Sequence, residues 1–224
     1  MQKPWGKLRP DGAYHPLVDH CTDVAMVFRA LLDRKAFVRW GDLEEPSKDR
    51  LAVIAFLHDF GKCNRGFQAK ANPGASATAG HVLEAAGFLL EWQDLWPPAW
   101  YDLIVDIVGW FKGEEQAAQM LLASISHHGR PVSRSDIDYF LSSAKAKSAY
   151  EFWRAADGYD PLAALVDLVQ RVRAAFPHAF CKNVKAIDAN AALQHRFAGL
   201  LMLADWIASD TQFFPYATPT HLSR

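Results

Sequence analysis

Cysteine is scarce in this chain: Cys21, Cys63 and Cys181 are the only three in 224 residues, and no CxxC pair occurs among them. An odd, scattered set supports neither a disulfide framework nor a cysteine zinc site, and it points to a reducing compartment. No charged segment leading into an apolar core opens the chain, so no secretory signal is expected. No uncharged apolar run approaches the ~18 residues of a membrane-spanning helix. A cytoplasmic setting without membrane contact is the expectation. A GxxxxGKS/T loop is missing, and with it the usual mark of an ATP-driven motor. Charge of one sign is lacking too: 24 Lys and Arg against 25 Asp and Glu leave a formal −1. Any anionic partner must therefore meet a local basic patch rather than a global field. Neither a convincing alternating strand nor an internal repeat is found.

What remains is apolar and helical in period. Half of the residues are hydrophobic, enough at this length for one domain with a sizeable core. Over 19–33, Val24, Val27, Phe28, Leu31 and Leu32 recur at helical spacing. The same pattern predicts helices over 48–60, 81–95, 99–111, 115–128, 136–143, 148–156, 161–176 and 188–209. Breakers separate them: Trp40-Gly41, Pro73-Gly74, Pro97-Pro98, Gly129 to Pro131, Gly158 and Pro161, and Pro177. The segment "ANPGASATAG", 71–80, is small and uncharged. It reads either as a flap beside a site or as plain surface loop. The expected fold is a single all-α domain over 1–224.

Polar residues interrupt the apolar stripes at a few places. Residues three and four apart share a helix face. On that rule His20 lies with Val24, Val27 and Leu31, and His58 with Leu51, Ile54 and Ala55. Asp59 is one step round, His81 heads Ala85, Phe88 and Trp92, and His127 and His128 follow Ser124. Asp205 sits with Leu201, Met202 and Ala208. One such group buried without a partner costs roughly a few kcal/mol. Seven would consume the ~5–15 kcal/mol net stability of a domain. Taken singly, each has an ordinary reading as a hydrogen-bonded core residue or a helix cap. Together they form the imidazole and carboxylate ligand set of divalent transition metals, in which an Asp can bridge two ions. His15, His178, His195 and His221 fall off the stripes and read as structural or exposed.

These residues stand in recognisable surroundings. "WGK" at 5–7, "HCTDVAMVFRALL" at 20–32, "FLHDFGKCNRGFQAK" at 56–70, "SHHG" at 126–129 and "GLLMLADWIASD" at 199–210 together resemble the HD nuclease domain of the CRISPR type I nuclease-helicase, within the HD metallohydrolase superfamily. The resemblance runs from residue 5 to about 215. It implies a compact helical domain that uses two divalent transition-metal ions to cut single-stranded DNA in defence against foreign DNA. By the same resemblance, His20, His58 and Asp205 hold the first ion, and His81, His127 and His128 the second. Asp59 bridges the two, and Lys62 stands near the scissile phosphate. The family's helicase portion has no counterpart in these residues, so that portion and the CRISPR effector complex are the implied partners.

Histidine-rich ligands favour Mn, Fe, Co or Ni over Mg or Ca, which prefer oxygen shells. Arg65, Lys70, Arg130 and Arg134 flank the motifs. They are either a basic track for a single strand, with Phe67 as a stacking platform, or a solvated face with Phe67 in packing. Lys62 itself has a bland alternative as a solvated surface lysine. Two other functions fit the motifs: a phosphohydrolase of nucleotides or cyclic nucleotides, and a non-catalytic helical module stapled by metal.

Overall fold

The computed structural model describes residues 3–34, 43–127 and 129–216. Ten α-helices are found among them: α1 Leu17–Leu32, α2 Glu45–Phe56, α3 Arg65–Gln68, α4 Val82–Leu90, α5 Pro98–Trp110, α6 Glu114–Ile125, α7 Arg134–Leu141, α8 Ala144–Glu151, α9 Pro161–Ala175 and α10 Ala191–Ala208. The all-α expectation holds. None of these helices is long and apolar enough to cross a membrane.

Prolines and short polar residues set the helix starts. Pro46, Pro98 and Pro161 occupy first turns, where a missing N–H is harmless. Ser133 and Asp136 form a capping box on α7, and Asn190 caps α10. Several ends differ from the periodicity. The predicted 81–95 helix stops at Leu90, because Trp92 folds back over Gly87, where a Cβ would lie 2.7 Å from the indole. The predicted 148–156 helix runs instead over 144–151, and Trp153 beyond it is wholly buried. The Trp40-Gly41 break lies outside the described residues.

One element contradicts the expectation of no strands. Trp5–Leu8 (β1) and Tyr14–Pro16 (β2) pair antiparallel, with Lys7 opposite His15 and Leu8 opposite Tyr14. The turn between them contains Asp11-Gly12, with Gly12 at φ 83° and the Asp11 carboxylate accepting from Ala13 N at 3.0 Å. Strands of four and three residues are too short to show alternation, but the Asp-Gly pair is a hairpin signal.

α1 packs between α2 and α10, joined by contacts such as Phe28 on Phe197 at 5.2 Å between centroids. A second cluster of rings anchors the segment after α2: Phe60 lies 4.8 Å from Trp100, and Phe88 stacks on Trp153 at 4.2 Å. The C-terminal ends of α2 and α6 meet here, where Ser124 Oγ donates to Ile54 O at 2.6 Å. Everything that follows sits around those two helix ends.

Candidate metal centre

α2 does not run on to residue 60. It passes at Leu57 into a 3-10 turn, Leu57–Cys63, in which all seven residues are buried. In a 3-10 turn side chains at i and i+3 eclipse. That geometry puts Lys62 over Asp59, with Nζ 2.6 Å from Oδ2. Lys62 also donates to Gly6 O at 2.9 Å. Lys62 is thus a buried, paired cation and not a solvated surface lysine.

The two histidines next to the helix ends are oriented alike. His58 Nδ1 lies 2.9 Å from Ala55 O, and His127 Nδ1 lies 3.2 Å from Ser124 O. A carbonyl only accepts, so Nδ1 donates in both rings and Nε2 points inward. The last carbonyls of α2 and α6 thereby gain partners.

Asp59 is the hub. Its Oδ2 lies 3.4 Å from His20 Nε2 and 3.3 Å from His58 Nε2. Its Oδ1 lies 3.3 Å from His81 Nε2 and 3.5 Å from His127 Nε2. On the Oδ2 side, His20 Nε2 is also 3.2 Å from Asp205 Oδ1. The carboxylate therefore faces a different set of imidazoles with each oxygen. His20, His58 and Asp205 offer donor atoms within one ligand sphere, as do His58, Asp59 and His127.

The fit to a metal can be tested on these distances. His20 Nε2, His58 Nε2 and both Asp59 oxygens are buried and make no hydrogen bond of acceptable geometry among the described residues. Metal–ligand bonds of about 2.0–2.2 Å place neighbouring donor atoms about 3.0–3.5 Å apart. The spacings here are 3.2–3.5 Å. Lone pairs aimed at one another at such distances repel unless a proton or a cation lies between them. The charge states agree. Burial pushes the Asp59 carboxyl up, yet Lys62, His58 and His20 outweigh it and hold it well below the usual carboxylate range. Burial likewise opposes ionisation of Asp205, and His20, His58 and Lys7 reverse it. Burial lowers His20 despite the two carboxylates beside it, which favours the neutral imidazole a metal needs. Two helix C-termini, the negative ends of their dipoles, also face the cluster. The residues present suit divalent metal ions.

Every described residue predicted as a ligand reaches this centre: His20, His58, Asp59, His81, His127 and Asp205. His81 does so from the N-cap position of α4 rather than from within a helix. His128 and His221 lie outside the described residues. His15 is buried with Nε2 3.0 Å from Asp23, so it is structural. His178 and His195 are exposed. Phe67 is buried, 4.6 Å from Trp5, so its packing reading stands. Arg65, Arg130 and Arg134 pair with Asp157, Asp136 and Asp138 at 3.2, 3.0 and 2.9 Å.

Sequence reasoning missed two contributors. Lys7 places Nζ 3.1 Å from Asp205 Oδ1. Gln68 latches β1 onto the site: its Oε1 accepts from Trp5 N at 2.9 Å, and its Nε2 donates to Trp5 O at 3.1 Å and Lys62 O at 2.7 Å. Both lie within motifs quoted above, but nothing in a one-dimensional pattern shows that a strand crosses the ends of helices.

Gly61 supplies a test of this packing. A Cβ there would sit 2.0 Å from His81 O and 2.8 Å from Ala85 Cβ. Overpacking typically costs about 1–3 kcal/mol, and here relief requires moving the backbone that carries His81. Gly61→Ala should lower the denaturation midpoint and reduce bound metal, read by urea titration and by elemental analysis. An unchanged metal content would show that His81 tolerates the shift.

The family model described as "Cas3, HD domain" matches residues 5–214. The CRISPR-associated endonuclease/helicase Cas3 of Thermus thermophilus is 28% identical over 212 residues, covering 91% of this chain and 22% of that protein. The chain thus spans about a fifth of the length of this curated relative. Solved structures share the fold. A CRISPR-associated protein matches with TM-score 0.66 at 24% identity, over 96% of this chain and 23% of that one. The T. thermophilus Cas3 HD domain in the presence of Ni2+ matches with TM-score 0.56 at 24% identity, over 94% of this chain and 76% of that one. T. fusca Cas3 with ATP gives 0.54 at 21% identity, over 93% and 23%. With nearly the whole helical domain and its clustered histidines inside the match, the chain belongs to the Cas3 HD domain family.

Proposed function

We propose that this chain hydrolyses phosphodiester bonds of single-stranded DNA with two divalent transition-metal ions, in CRISPR type I interference. The observation that carries the reading is the division of labour at Asp59, whose two oxygens face separate histidine sets. On this reading His20, His58 and Asp205 would hold one ion and His81, His127 and His128 the other, with Asp59 shared between them. Bound ions of this kind supply hydroxide near neutral pH and stabilise charge on the attacking and leaving oxygens of an in-line displacement. The protein's own part is positional. The Ala55 and Ser124 carbonyls fix two imidazoles, Lys7 and His20 flank Asp205, and Lys62 beside Asp59 favours its ionised form. Imidazole donors favour Mn, Fe, Co or Ni over Mg. A helicase portion and the CRISPR effector complex are the proposed partners that deliver the strand.

The test is digestion of single-stranded DNA across a panel of divalent ions, with mononucleotides and cyclic nucleotides in parallel. Cleavage of DNA with Mn, Fe, Co or Ni, abolished by a chelator, is expected. Turnover of the small nucleotides alone would replace this reading with a nucleotide phosphohydrolase.

Lys62 bears a second expectation. Its ammonium is a point charge suited to a phosphate oxygen, and while charged it is a donor only and cannot ligate a cation. Lys62→Ala should slow cleavage about a hundredfold, the scale of one lost transition-state contact, with metal content nearly intact. Large metal loss in that variant would make Lys62 a structural support of Asp59 instead.

A further inference from the structure

Beside the metal centre lies an open groove of about 570 Å³, a size that suits a small ligand. Trp5, Arg65, Phe152 and Tyr159 wall it, and the loop 71–77 bounds it with alanines, a serine and an asparagine. The short side chains of that loop leave the space open. Gly66 brings the loop close: Ala79 N donates to Gly66 O at 3.0 Å, and a Cβ on Gly66 would lie 2.6 Å from Phe152 and 2.7 Å from Ala79.

The groove adjoins the chemistry through two ring contacts. Trp5 lies 4.6 Å from Phe67, and Phe67 lies 5.2 Å from the metal-facing His81. Its charged lining is two cations, Lys3 and Arg65, and one carboxylate, Asp157. Arg65 holds its guanidinium carbon 5.7 Å from the Phe152 ring centre, and its backbone N donates to Phe152 O at 2.8 Å. Nη1 pairs with the exposed Asp157 at 3.2 Å, while Nε is buried without a partner among the described residues. Lys3 adds a second cation, so Asp157 is outnumbered.

We propose that this groove is a subsite for one nucleotide of the strand flanking the cut, with the base against the aromatic walls and the phosphate on Arg65. The proposal rests on the nuclease reading above. Aromatic faces accept any base, since every base has a π-face, and guanidinium suits a phosphate. A base enters such a groove only when unpaired, which adds a reason for the site to favour a single strand.

The experiment uses this chain loaded with manganese and an oligonucleotide carrying one abasic site, moved a position at a time past the cut. One position should raise KM about tenfold, the scale of one lost stacking contact. Ser76→Trp, on the exposed loop, fills the groove. It should raise KM for intact DNA about tenfold, abolish the abasic effect, and leave hydrolysis of bis(p-nitrophenyl) phosphate, which has no base, unchanged. A readout independent of turnover is photo-crosslinking of 5-iododeoxyuridine at that position to the peptides of Trp5 or Phe152, lost in Ser76→Trp. Equal KM at every abasic position, or crosslinking unaffected by Ser76→Trp, overturns the subsite. A wild-type chain that cuts neither DNA nor the activated diester with any ion overturns the nuclease reading, and the crosslinking result then decides the subsite by itself.

Discussion

Asp59→Ala should lose bound metal and DNA cleavage together. Among the described residues, Asp59 is the carboxylate that contacts both histidine sets, His20 and His58 through Oδ2 and His81 and His127 through Oδ1. Without it, neither proposed ion keeps its shared anionic ligand. Lewis-acid stabilisation of a phosphoryl transition state is worth several kcal/mol, and about 4 kcal/mol is roughly a thousandfold in rate. The fold responds as well. Lys62 would be left as a buried ammonium with Gly6 O as its remaining hydrogen bond, and an uncompensated buried charge costs about 3–5 kcal/mol. A second variant separates the two effects. Asp59→Ala combined with Lys62→Met removes the stranded charge, so it should regain stability without regaining cleavage. His195→Ala, at an exposed position on α10, should leave both properties at wild-type level. Metal is counted on the folded fraction by elemental analysis, and cleavage by a single-strand time course. Wild-type cleavage by Asp59→Ala would end the bridging account.

The centre was legible because burial and polarity conflict along the chain. His20 and Asp205 each occupy an apolar helix stripe, and periodicity alone shows which way such residues point. Asp59 was harder. Its neighbours in an extended α2 would be Ala52, Ala55 and Phe56, yet the chain leaves the α-helix at Leu57. The inward direction survives because the 3-10 turn is itself buried against Phe88, Trp100 and Trp153. The eclipsed Asp59–Lys62 pair follows from that winding, and an α-helical reading has no reason to produce it. β1 escaped the periodicity for a different cause. Four residues carry no measurable alternation, and the close seat of Gly6 over α1, where a Cβ would lie 3.1 Å from His20 Cβ and Leu17 Cα, is a tertiary contact. Lys7 on Asp205 and the Gln68 latch are contacts across long stretches of chain, which no local pattern encodes. Phe67 shows the limit in reverse: a single aromatic between cations reads equally as platform or packing, and the tertiary neighbour Trp5 decides it.

Covalently closed duplex should resist this chain while a single strand of the same sequence is cut. The centre is recessed: Asp59 and His20 have no exposed surface and His58 has 1%. Among the described ligand side chains the more open ones are His81 and Asp205, at 15% and 11%. A phosphate must therefore enter between the α4 and α10 sides, with its flanking nucleotides turned away from a straight path. A single strand bends this way freely. Duplex DNA has a persistence length of ~50 nm and resists a sharp local bend. Opening it instead loses about 1.4 kcal/mol of stacking per base-pair step. Three opened steps would come to about 4 kcal/mol, which lowers the accessible population roughly a thousandfold. The sequence contains no phosphate-loop motif to couple ATP to that opening. On the proposed reading the work falls to the helicase portion and the target-bound complex. The measurement is a time course with manganese on matched single-stranded and closed duplex substrates, without ATP or partner. A rate ratio near a thousand is expected, and comparable rates would show that the recess admits paired DNA.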